Sequence, residues 1–245
     1  MGPVTEVQHM QKVTDPIVVM KRYELKYLLD AEKTAFLQER LRGRMQIDSF
    51  GLTSIASLYY DTPDFRLIRS SLEKPLFKEK IRLRSYGLAT EDSPVYLELK
   101  RKAFDVVYKR RVQSTVARVE SLFDEQSGSD DSSQISREIR TFQDFYRPLE
   151  PKCLIIYDRC AYFQPDGDLR LTIDANPRYR TSDLTLTSSM EGVPLLPQGW
   201  TILEIKVQDA MPLWLAETLS EGRIYKSSFS KYGEAYRRER LKFSA

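Results

Sequence analysis

Histidine and cysteine are scarce in this sequence, and their scarcity excludes several kinds of catalytic site. The 245 residues contain one histidine, His9, and two cysteines, Cys153 and Cys160. Two cysteines cannot build a disulfide framework or a zinc site, and one histidine in a polar N-terminal segment is poorly placed for acid–base catalysis. We therefore expect neither zinc chemistry nor a histidine-activated nucleophile, and we expect a reducing compartment.

Long apolar runs are also missing. No stretch approaches the roughly 20 apolar residues that a membrane-spanning helix requires, and the N-terminus, MGPVTEVQHMQK, lacks the apolar centre of a signal peptide. The net charge is only +3, because 38 Lys and Arg are nearly balanced by 35 Asp and Glu. We predict a soluble, cytoplasmic protein that binds no nucleic acid, in which any strong positive field is local.

Alternation of charged and apolar residues is what the sequence has in abundance. In the stretch 77–84, FKEKIRLR, the cations Lys78, Lys80, Arg82 and Arg84 occupy every second position. Alternate residues of a β-strand point to opposite faces, so these cations would share one face and the apolar residues between them the other. The same pattern recurs in RYELKYLL, VYLELKRK, VVYKRRVQ, DLRLTID and TILEIKVQ.

The distribution of these segments predicts one mainly β domain of the α+β class. A chain of 245 residues with 41% hydrophobic content can bury one sizeable core. We predict a polar segment at 1–19 and a single domain at 20–245, interrupted at about 114–150 by helices around the acidic, Ser-rich loop EQSGSDDSS. Further helices are predicted in DAEKTAFLQERL, MPLWLAETLS and SFSKYGEAYRRERLK.

The composition of the charged face predicts how the strands are arranged. An ordinary antiparallel sheet also alternates apolar and polar residues, because one of its faces meets water. Here the alternate face carries Arg, Lys and Glu in strand after strand, with few small polar residues. A closed antiparallel barrel with a charged lumen and peripheral helices accounts for all the strands and leaves no exposed edge.

Cations confined in such a tunnel predict an anionic ligand. Each unpaired buried cation would cost on the order of several kcal/mol, so the tunnel should bind a long, dense anion. A chain of phosphates fits, because Arg binds two phosphate oxygens at once and Lys adds point charge. The carboxylates Glu24, Glu98 and Glu204 would repel phosphate unless a divalent cation such as Mg²⁺ or Mn²⁺ lay between them.

At this point a family resemblance emerges from the order of the motifs. The series RYELKY, SLYYDT, KIRLRSYG, VYLELKRK, YKRRV, YDRCAYF, LRLTID, LEIKV and FSKYGEAY resembles the catalytic VTC (vacuolar transporter chaperone) domain of the polyphosphate polymerases, within the triphosphate tunnel metalloenzyme (CYTH-like) superfamily. The resemblance covers roughly residues 20–240. It implies an eight-stranded antiparallel tunnel that holds ATP or another nucleoside triphosphate and a divalent metal, and that transfers the terminal phosphoryl group to a growing chain of inorganic polyphosphate.

The resemblance also implies roles for individual residues. The phosphate-binding and catalytic set comprises Lys26, Arg82, Arg84, Lys100, Lys109, Arg159 and Arg170, and Lys226 and Lys231 resemble the basic residues near the closing helix. Lys206 is a further candidate for binding the nucleotide, as are Lys226 and Lys231. Glu204 resembles the metal ligand, and Glu24 and Glu98 are further candidates. The alternation by itself does not decide to which face of its strand the Arg159 side chain points.

One departure from the superfamily bears on activity. Its hydrolytic branch begins with Glu-x-Glu-x-Lys, whereas this chain reads Arg22-Tyr-Glu24-Leu-Lys26. Replacing a carboxylate by a cation should weaken a second metal site, which favours a polymerase over a triphosphate hydrolase. Eukaryotic family members carry an inositol-phosphate-sensing domain and membrane helices that this sequence lacks, so regulation or export would come from a separate membrane or regulatory protein or would not occur. A non-catalytic module that binds polyphosphate or inositol phosphates is the third reading.

Simpler roles stay open for several of these side chains. Arg82 and Arg84 could pair with acids on neighbouring strands, and Glu204 and Lys206 could form a structural ion pair. Lys226 could be a surface lysine, as could Lys231. The tyrosines of the strands, among them Tyr59 and Tyr157, are expected to pack in the barrel rather than to stack on a base.

Overall fold

A ten-stranded antiparallel sheet with five α-helices forms the structure, a computed structural model that describes residues 23–104, 106–119 and 134–242. The strands are β1 (Tyr23–Leu29), β2 (Gln46–Asp61), β3 (Phe77–Tyr86), β4 (Pro94–Ala103), β5 (Val106–Thr115), β6 (Glu150–Phe163), β7 (Arg170–Arg180), β8 (Val193–Pro194), β9 (Thr201–Val207) and β10 (Lys226–Ser227). The helices are α1 (Ala31–Leu41), α2 (Arg66–Leu72), α3 (Gln134–Phe145), α4 (Leu213–Glu221) and α5 (Lys231–Lys242).

The sheet is open, which corrects the predicted eight-stranded closed barrel. Its strand order is β10-β1-β9-β7-β6-β2-β3-β4-β5, with β8 paired to β7. Within the described residues, the end strands β5 and β10 share no ladder of hydrogen bonds. The prediction was wrong because alternation along a strand fixes which side chain faces which way, but it fixes neither the number of strands nor whether the two end strands pair.

The sheet curves strongly enough to bring distant strands face to face. Lys100 on β4 lies 3.3 Å, Nζ to Oε2, from Glu24 on β1, although five strands separate β4 from β1 in the sheet order. Lys80 on β3 donates to the Ser230 hydroxyl, just before α5, at 3.3 Å. The charged face of the sheet is therefore its concave face.

Apolar side chains on the convex face pack against helices. Leu203 and Ile205 of β9 belong to a cluster that α1 and α4 cover, and Leu97 belongs to a second cluster that includes Phe142 of α3. A third cluster lies where α5 meets the sheet, and there Tyr232 stacks on Tyr59 with ring centroids 4.7 Å apart. The helix α5 thus brings its first residues to the charged face.

The sequence predicted most helices but not all elements. α1 begins after Asp30, whose carboxylate accepts from the Lys33 backbone N–H at 2.8 Å, as expected for an N-cap. α3, α4 and α5 also coincide with predicted helices. The sequence did not predict the short helix α2. The buried carboxylate of Asp61 accepts hydrogen bonds from the backbone N–H groups of Leu67 and Ile68 in this helix. The N-terminal segment 1–19 and the loop EQSGSDDSS lie outside the described residues.

Candidate functional site

The concave face collects cations from strands across the whole sheet. Residues that alternate with the convex core point inward on each strand, as the sequence predicted. The inward cations are Lys26, Lys78, Lys80, Arg82, Arg84, Lys100, Lys102, Lys109, Arg111, Arg159, Arg170 and Lys206, joined by Lys231 from α5. The inward carboxylates are Glu24, Glu98, Asp174 and Glu204. Positive charge therefore exceeds negative charge on this face.

Glu98 is the most heavily paired of the inward carboxylates. Its side chain is 2% exposed, and Arg82 contacts Oε2 at 2.8 Å while Lys109 contacts Oε1 at 2.8 Å. Arg111 donates to Oε1, and Arg84 lies 3.6 Å from Oε2. Burial alone would raise the pKa of Glu98, but the attraction of these cations outweighs burial and holds the pKa far below its usual range. Glu98 is thus a charged counter-ion that orders four cations.

A second buried carboxylate orders cations from β6 and α5. Asp174 on β7 is 2% exposed and accepts two hydrogen bonds from Arg159, from Nε at 2.6 Å and from Nη2 at 2.8 Å. Lys231 Nζ contacts the same carboxylate at 2.5 Å and lies 4.2 Å from the ring centre of Tyr157. These contacts decide the direction of Arg159, which the sequence left open. They also place Lys231 on the concave face.

Two further carboxylates lie together on the neighbouring strands β1 and β9. Lys26 is opposite Glu204 in the strand register, and its Nζ lies 3.2 Å from Glu24 and 3.4 Å from Glu204. Lys206 contacts Glu204 at 2.7 Å, and Lys100 reaches Glu24 across the concave face. Burial raises the pKa of Glu204, but Lys206 and Lys26 outweigh it and hold the pKa well below its usual range. Both carboxyl groups are therefore ionised at neutral pH.

The residues fit a divalent cation that is shared with substrate. Mg²⁺ and similar hard cations are typically held by one or two carboxylates together with phosphate oxygens, and Glu24 and Glu204 offer such a pair. Glu98 fits this role poorly, because its side chain is 2% exposed and is held by four cations, three of them arginines. Glu24 and Glu204 are more exposed, at 30% and 13%, and each is contacted by two lysines. Within 23–104, 106–119 and 134–242, no three or more His, Cys, Asp or Glu side chains form a metal-binding group. Glu24 and Glu204 remain the predicted ligands, whereas Glu98 is better explained as a counter-ion.

Lys80 and Tyr59 form a half-buried pair with shifted pKa values. Burial lowers the pKa of Lys80 to about 8; the Tyr59 hydroxyl opposes this shift and the charge of Lys26 reinforces it. Burial would raise the pKa of Tyr59, but the positive charges of Arg82 and Lys80 outweigh it and lower the pKa to about 8. The Lys80 ammonium donates to Ser230, a hydroxyl rather than a carboxylate. Lys80 is thus a cation without full compensation of its charge.

The structure brings most of the predicted site residues together on the concave face. Two residues differ: Arg170 lies at the edge of this face, and Lys226 lies outside it. Arg170 is exposed at one end of the concave face, opposite Lys206 in the register and 5.2 Å from the Phe163 ring centre. Lys226 is exposed on β10 and pairs with Tyr27, whose side chain belongs to the convex core. The geometry therefore does not place Lys226 with the cations of the concave face.

The simpler pairings considered from the sequence also occur. Arg82 and Arg84 do contact an acid on the neighbouring strand, Glu98, and Glu204 does pair with Lys206. These pairings are compatible with the predicted phosphate-binding role, because one carboxylate is shared by several cations. The face keeps a net positive charge even with all these ion pairs formed.

Several residues of the site were missed or given a lesser role from sequence. The alternation in DLRLTID and VVYKRRVQ directs Asp174 and Arg111 to the inward face, but the family resemblance implies no role for either residue. Tyr59 and Tyr157 were expected only to pack, yet their hydroxyl groups accept from Arg82 at 2.9 Å and from Arg84 at 3.3 Å. The alternation contained the signal for Asp174 and Arg111, since both alternate with core residues.

The Lys80–Tyr59 pair predicts a pH dependence for anion binding. As pH rises through about 8, Lys80 loses its positive charge and Tyr59 gains a negative one, and both changes weaken attraction for an anion. We expect metal-free affinity for inorganic triphosphate to fall above pH 8 by up to about tenfold per pH unit for each group that must stay protonated. Binding measured by calorimetry from about pH 7 to about pH 9.5 tests this.

Variants separate the protein's titration from that of the ligand. Lys80→Arg keeps its charge throughout this range and should flatten the profile, and Tyr59→Phe should remove the other contribution. Lys33→Arg, on the exposed surface of α1, is the matched control and should keep the wild-type profile. Profiles in Lys80→Arg and Tyr59→Phe that both superimpose on the wild type would refute the assignment.

The comparisons with known proteins agree with this geometry. The family model of the VTC domain matches residues 21–239. A putative adenylate cyclase from Bacillus halodurans is 15% identical, with 86% of this chain and 96% of that chain covered and a TM-score of 0.51. A putative adenylate cyclase from Vibrio parahaemolyticus is 12% identical, with 89% and 98% covered and a TM-score of 0.46. No curated protein matches the chain.

These likenesses carry different weight. At 15% identity the Bacillus halodurans structure supports the fold alone, whereas the family model spans nearly all the strands and helices described above. Among the described residues, no helix is both long and apolar enough to cross a bilayer. The chain belongs to the VTC domain family.

Proposed function

We propose that this protein is a polyphosphate polymerase that transfers the terminal phosphoryl group of ATP to a growing polyphosphate chain on the concave face. The observation that carries the proposal is the excess of inward cations around few carboxylates, two of which, Glu24 and Glu204, meet at Lys26. Membership of the VTC domain family supports it. Cys153 and Cys160 are free thiols, which accords with the reducing cytoplasm that we propose as its location.

The proposed reaction needs positioning and charge neutralisation more than a protein nucleophile. Phosphoryl transfer depends mainly on aligning the reacting oxygens and stabilising the charge that develops on them. Arg82, Arg84 and Arg159 are fixed by Glu98 and Asp174, so their guanidinium groups are held in place before a triphosphate binds.

A divalent cation bound at Glu24 and Glu204 would supply neutralisation of phosphate charge. Lys26 contacts both of these carboxylates and so connects the predicted metal ligands with the phosphate-binding cations. The attacking group would be an oxygen at the end of an existing phosphate chain or of free phosphate, which needs no general base from the protein, and ADP would be the leaving group as the bond to the terminal phosphorus of ATP breaks. The residues of this chain thus bind, orient and neutralise, and the chemistry lies in the phosphates.

Two observations favour a polymerase over the alternatives. Glu98 and Asp174 already supply counter-ions for the arginines, and Glu24 and Glu204 repel phosphate, so a module that only binds anions has less use for this second pair than an enzyme that binds a divalent cation. A metal-assisted hydrolase of the superfamily would carry a further carboxylate where this sequence has Arg22, a position outside the described residues. The proposed product is therefore polyphosphate rather than free phosphate.

The direct test is incubation of the purified protein with ATP and Mn²⁺ or Mg²⁺, followed by separation of products on a gel. We expect a ladder of polyphosphate that an exopolyphosphatase degrades. Arg82→Gln should abolish the ladder, whereas Arg69→Gln, an exposed arginine paired with Asp64 on the helix side, should not. Release of free phosphate without a ladder would identify a hydrolase, and polyphosphate binding without consumption of ATP would identify a binding module.

A further inference from the structure

A cleft of about 560 Å³ lies on the convex side of the sheet, where α3 packs against β3 and β4. Phe77 of β3 lines it, and this residue alternates with the inward Lys78. Phe142 and Phe145 of α3 and the following Tyr146 complete its aromatic walls. The volume is typical of a small-molecule site, and such sites are lined mainly by apolar and aromatic side chains with a few polar groups.

Two phenyl rings of the cleft are exposed although they are apolar. Phe77 is 52% exposed and Phe145 is 66% exposed, whereas Phe142 at the base of the cleft is 1% exposed. Contiguous apolar surface that is open to water in a concave place is typical of a ligand-binding groove. An apolar group that entered the cleft would cover both exposed rings, and burial of this surface would favour binding.

The charged groups at the base of the cleft already neutralise each other. The buried Glu79 carboxylate accepts hydrogen bonds from Arg101 and, at 2.9 Å, from the Tyr146 hydroxyl. Burial and the neighbouring Glu79 carboxylate raise the pKa of Tyr146 to about 12, so its hydroxyl remains a donor at neutral pH. The Glu79–Arg101 pair therefore holds the base of the cleft in place and offers a ligand no net charge.

Arg66, the first residue of α2, is the charged lining residue that stays uncompensated. Its side chain is exposed, and among the described residues no carboxylate lies within 4 Å of it, since the nearby Asp64 pairs with Arg69 instead. The guanidinium lies over the rings of Phe145 and Tyr146, 5.5 Å and 5.4 Å from their centres. These cation–π contacts hold the guanidinium beside the cleft and leave its N–H groups able to bind an anion.

Apolar walls beside one uncompensated guanidinium define the chemistry of a ligand. A flat apolar body suits the phenyl rings, and one carboxylate suits Arg66, because guanidinium and carboxylate form two parallel hydrogen bonds. A dense polyanion fits poorly, since a single cation among aromatic rings cannot replace the hydration of several charges. The cleft thus differs in kind from the concave face, which collects many cations.

We propose that this cleft is a binding site for a small aromatic carboxylate, whose ring system lies against Phe77 and Phe145 and whose carboxylate binds Arg66. The inference goes beyond the proposed function, because it concerns the convex side and holds whether or not the protein makes polyphosphate. None of the three residues belongs to the phosphate-binding set. The volume of the cleft favours a small molecule over a protein segment as the occupant.

The test uses naphthalene-2-carboxylate as the probe and naphthalene-2-carboxamide as its uncharged counterpart of nearly the same shape. In ligand-observed NMR titrations of the full chain, we expect the carboxylate to bind with a dissociation constant of about 1 mM or below, as for a ligand of about a dozen non-hydrogen atoms. It should bind about tenfold more tightly than the carboxamide. Arg66→Gln should remove this preference, weakening the carboxylate by about tenfold and the carboxamide by less than about twofold, because only the carboxylate loses a charged hydrogen bond.

Matched variants and a competitor locate the probe. Phe145→Ala should weaken both ligands, because both lie on its ring, whereas Phe50→Ala removes another exposed phenylalanine and should change neither affinity. Arg69→Gln, on the same helix as Arg66, is the control for charge and should also change neither. Saturating inorganic triphosphate should leave the probe bound, since triphosphate is expected on the concave face.

Four results would each overturn the proposal: no binding of the carboxylate up to about 10 mM, affinities unchanged in both Arg66→Gln and Phe145→Ala, equal losses of the two ligands in Arg66→Gln, or displacement by triphosphate. If Arg66→Gln did not fold, the wild-type preference for the carboxylate and the effect of Phe145→Ala would decide. Success or failure of the ATP assay alters none of these outcomes, because the probe is measured without metal or nucleotide.

Discussion

Glu204→Gln is expected to lower metal-dependent phosphoryl transfer by about a thousandfold or more while metal-free nucleotide binding stays the same or tightens slightly. The substitution preserves the shape of the side chain but removes the anionic oxygen that a hard divalent cation prefers. Loss of metal-supplied charge stabilisation is worth several kcal/mol in the transition state, at about 1.4 kcal/mol per factor of ten in rate. The cations Lys26 and Lys206 that contact Glu204 stay in place and can still attract phosphate.

Both quantities should be measured on one preparation, so that a folding defect cannot imitate a catalytic one. Glu221→Gln is a matched control, because Glu221 is also paired, with Arg40, but lies on the exposed surface; it should keep normal turnover. If the Glu204–Lys206 pair had a purely structural role, Glu204→Gln would lower thermal stability and nucleotide binding together. Near-normal turnover in Glu204→Gln would show that Glu204 is not the catalytic metal ligand and would move attention to Glu24.

The inward and outward faces of the strands could be predicted from sequence because the backbone imposes the period of two. Ile81 and Leu83 are buried on the convex side of β3, and Arg82 and Arg84 lie on the concave side, as the alternation predicted. The first part of β2 shows where this signal fails. Its residues up to Leu52 are largely exposed and the register with β6 shifts there, so no alternation marks the strand.

Partners across strands could not be predicted, because register and curvature are properties of the folded sheet. The sequence shows that Glu98 and Arg111 alternate with apolar residues, but only the β4–β5 register places them opposite each other. The contact of Asp174 with Lys231 joins residues 57 positions apart in sequence. The chemistry of the face was thus predictable, whereas the division of its cations between two buried carboxylates was not.

Glu98→Gln is expected to destabilise the ligand-free protein by about 3–5 kcal/mol, the usual cost of breaking a buried ion pair by removing one partner. The substitution leaves Arg82, Arg84, Lys109 and Arg111 facing one another without their shared counter-ion. The pKa of Glu98 is depressed in the folded state, so its contribution is fully present above the unfolded pKa near 4.5 and is lost only as pH falls through the lower, folded value. Denaturant unfolding at neutral pH therefore measures the whole effect.

A bound anion should reverse much of this loss, and that reversal separates a counter-ion from a metal ligand. Inorganic triphosphate added without metal supplies the negative charge that Glu98 provided, so it should raise the melting temperature of Glu98→Gln more than that of the wild type. Glu138→Gln is the matched control: Glu138 pairs with Arg110 and Arg101 on the convex side, so its loss should cost about 1 kcal/mol or less and show no extra response to triphosphate. If Glu98→Gln instead kept its stability but lost metal-dependent turnover, Glu98 would be a metal ligand. The four cations around it would then have to be held in place by something other than its charge.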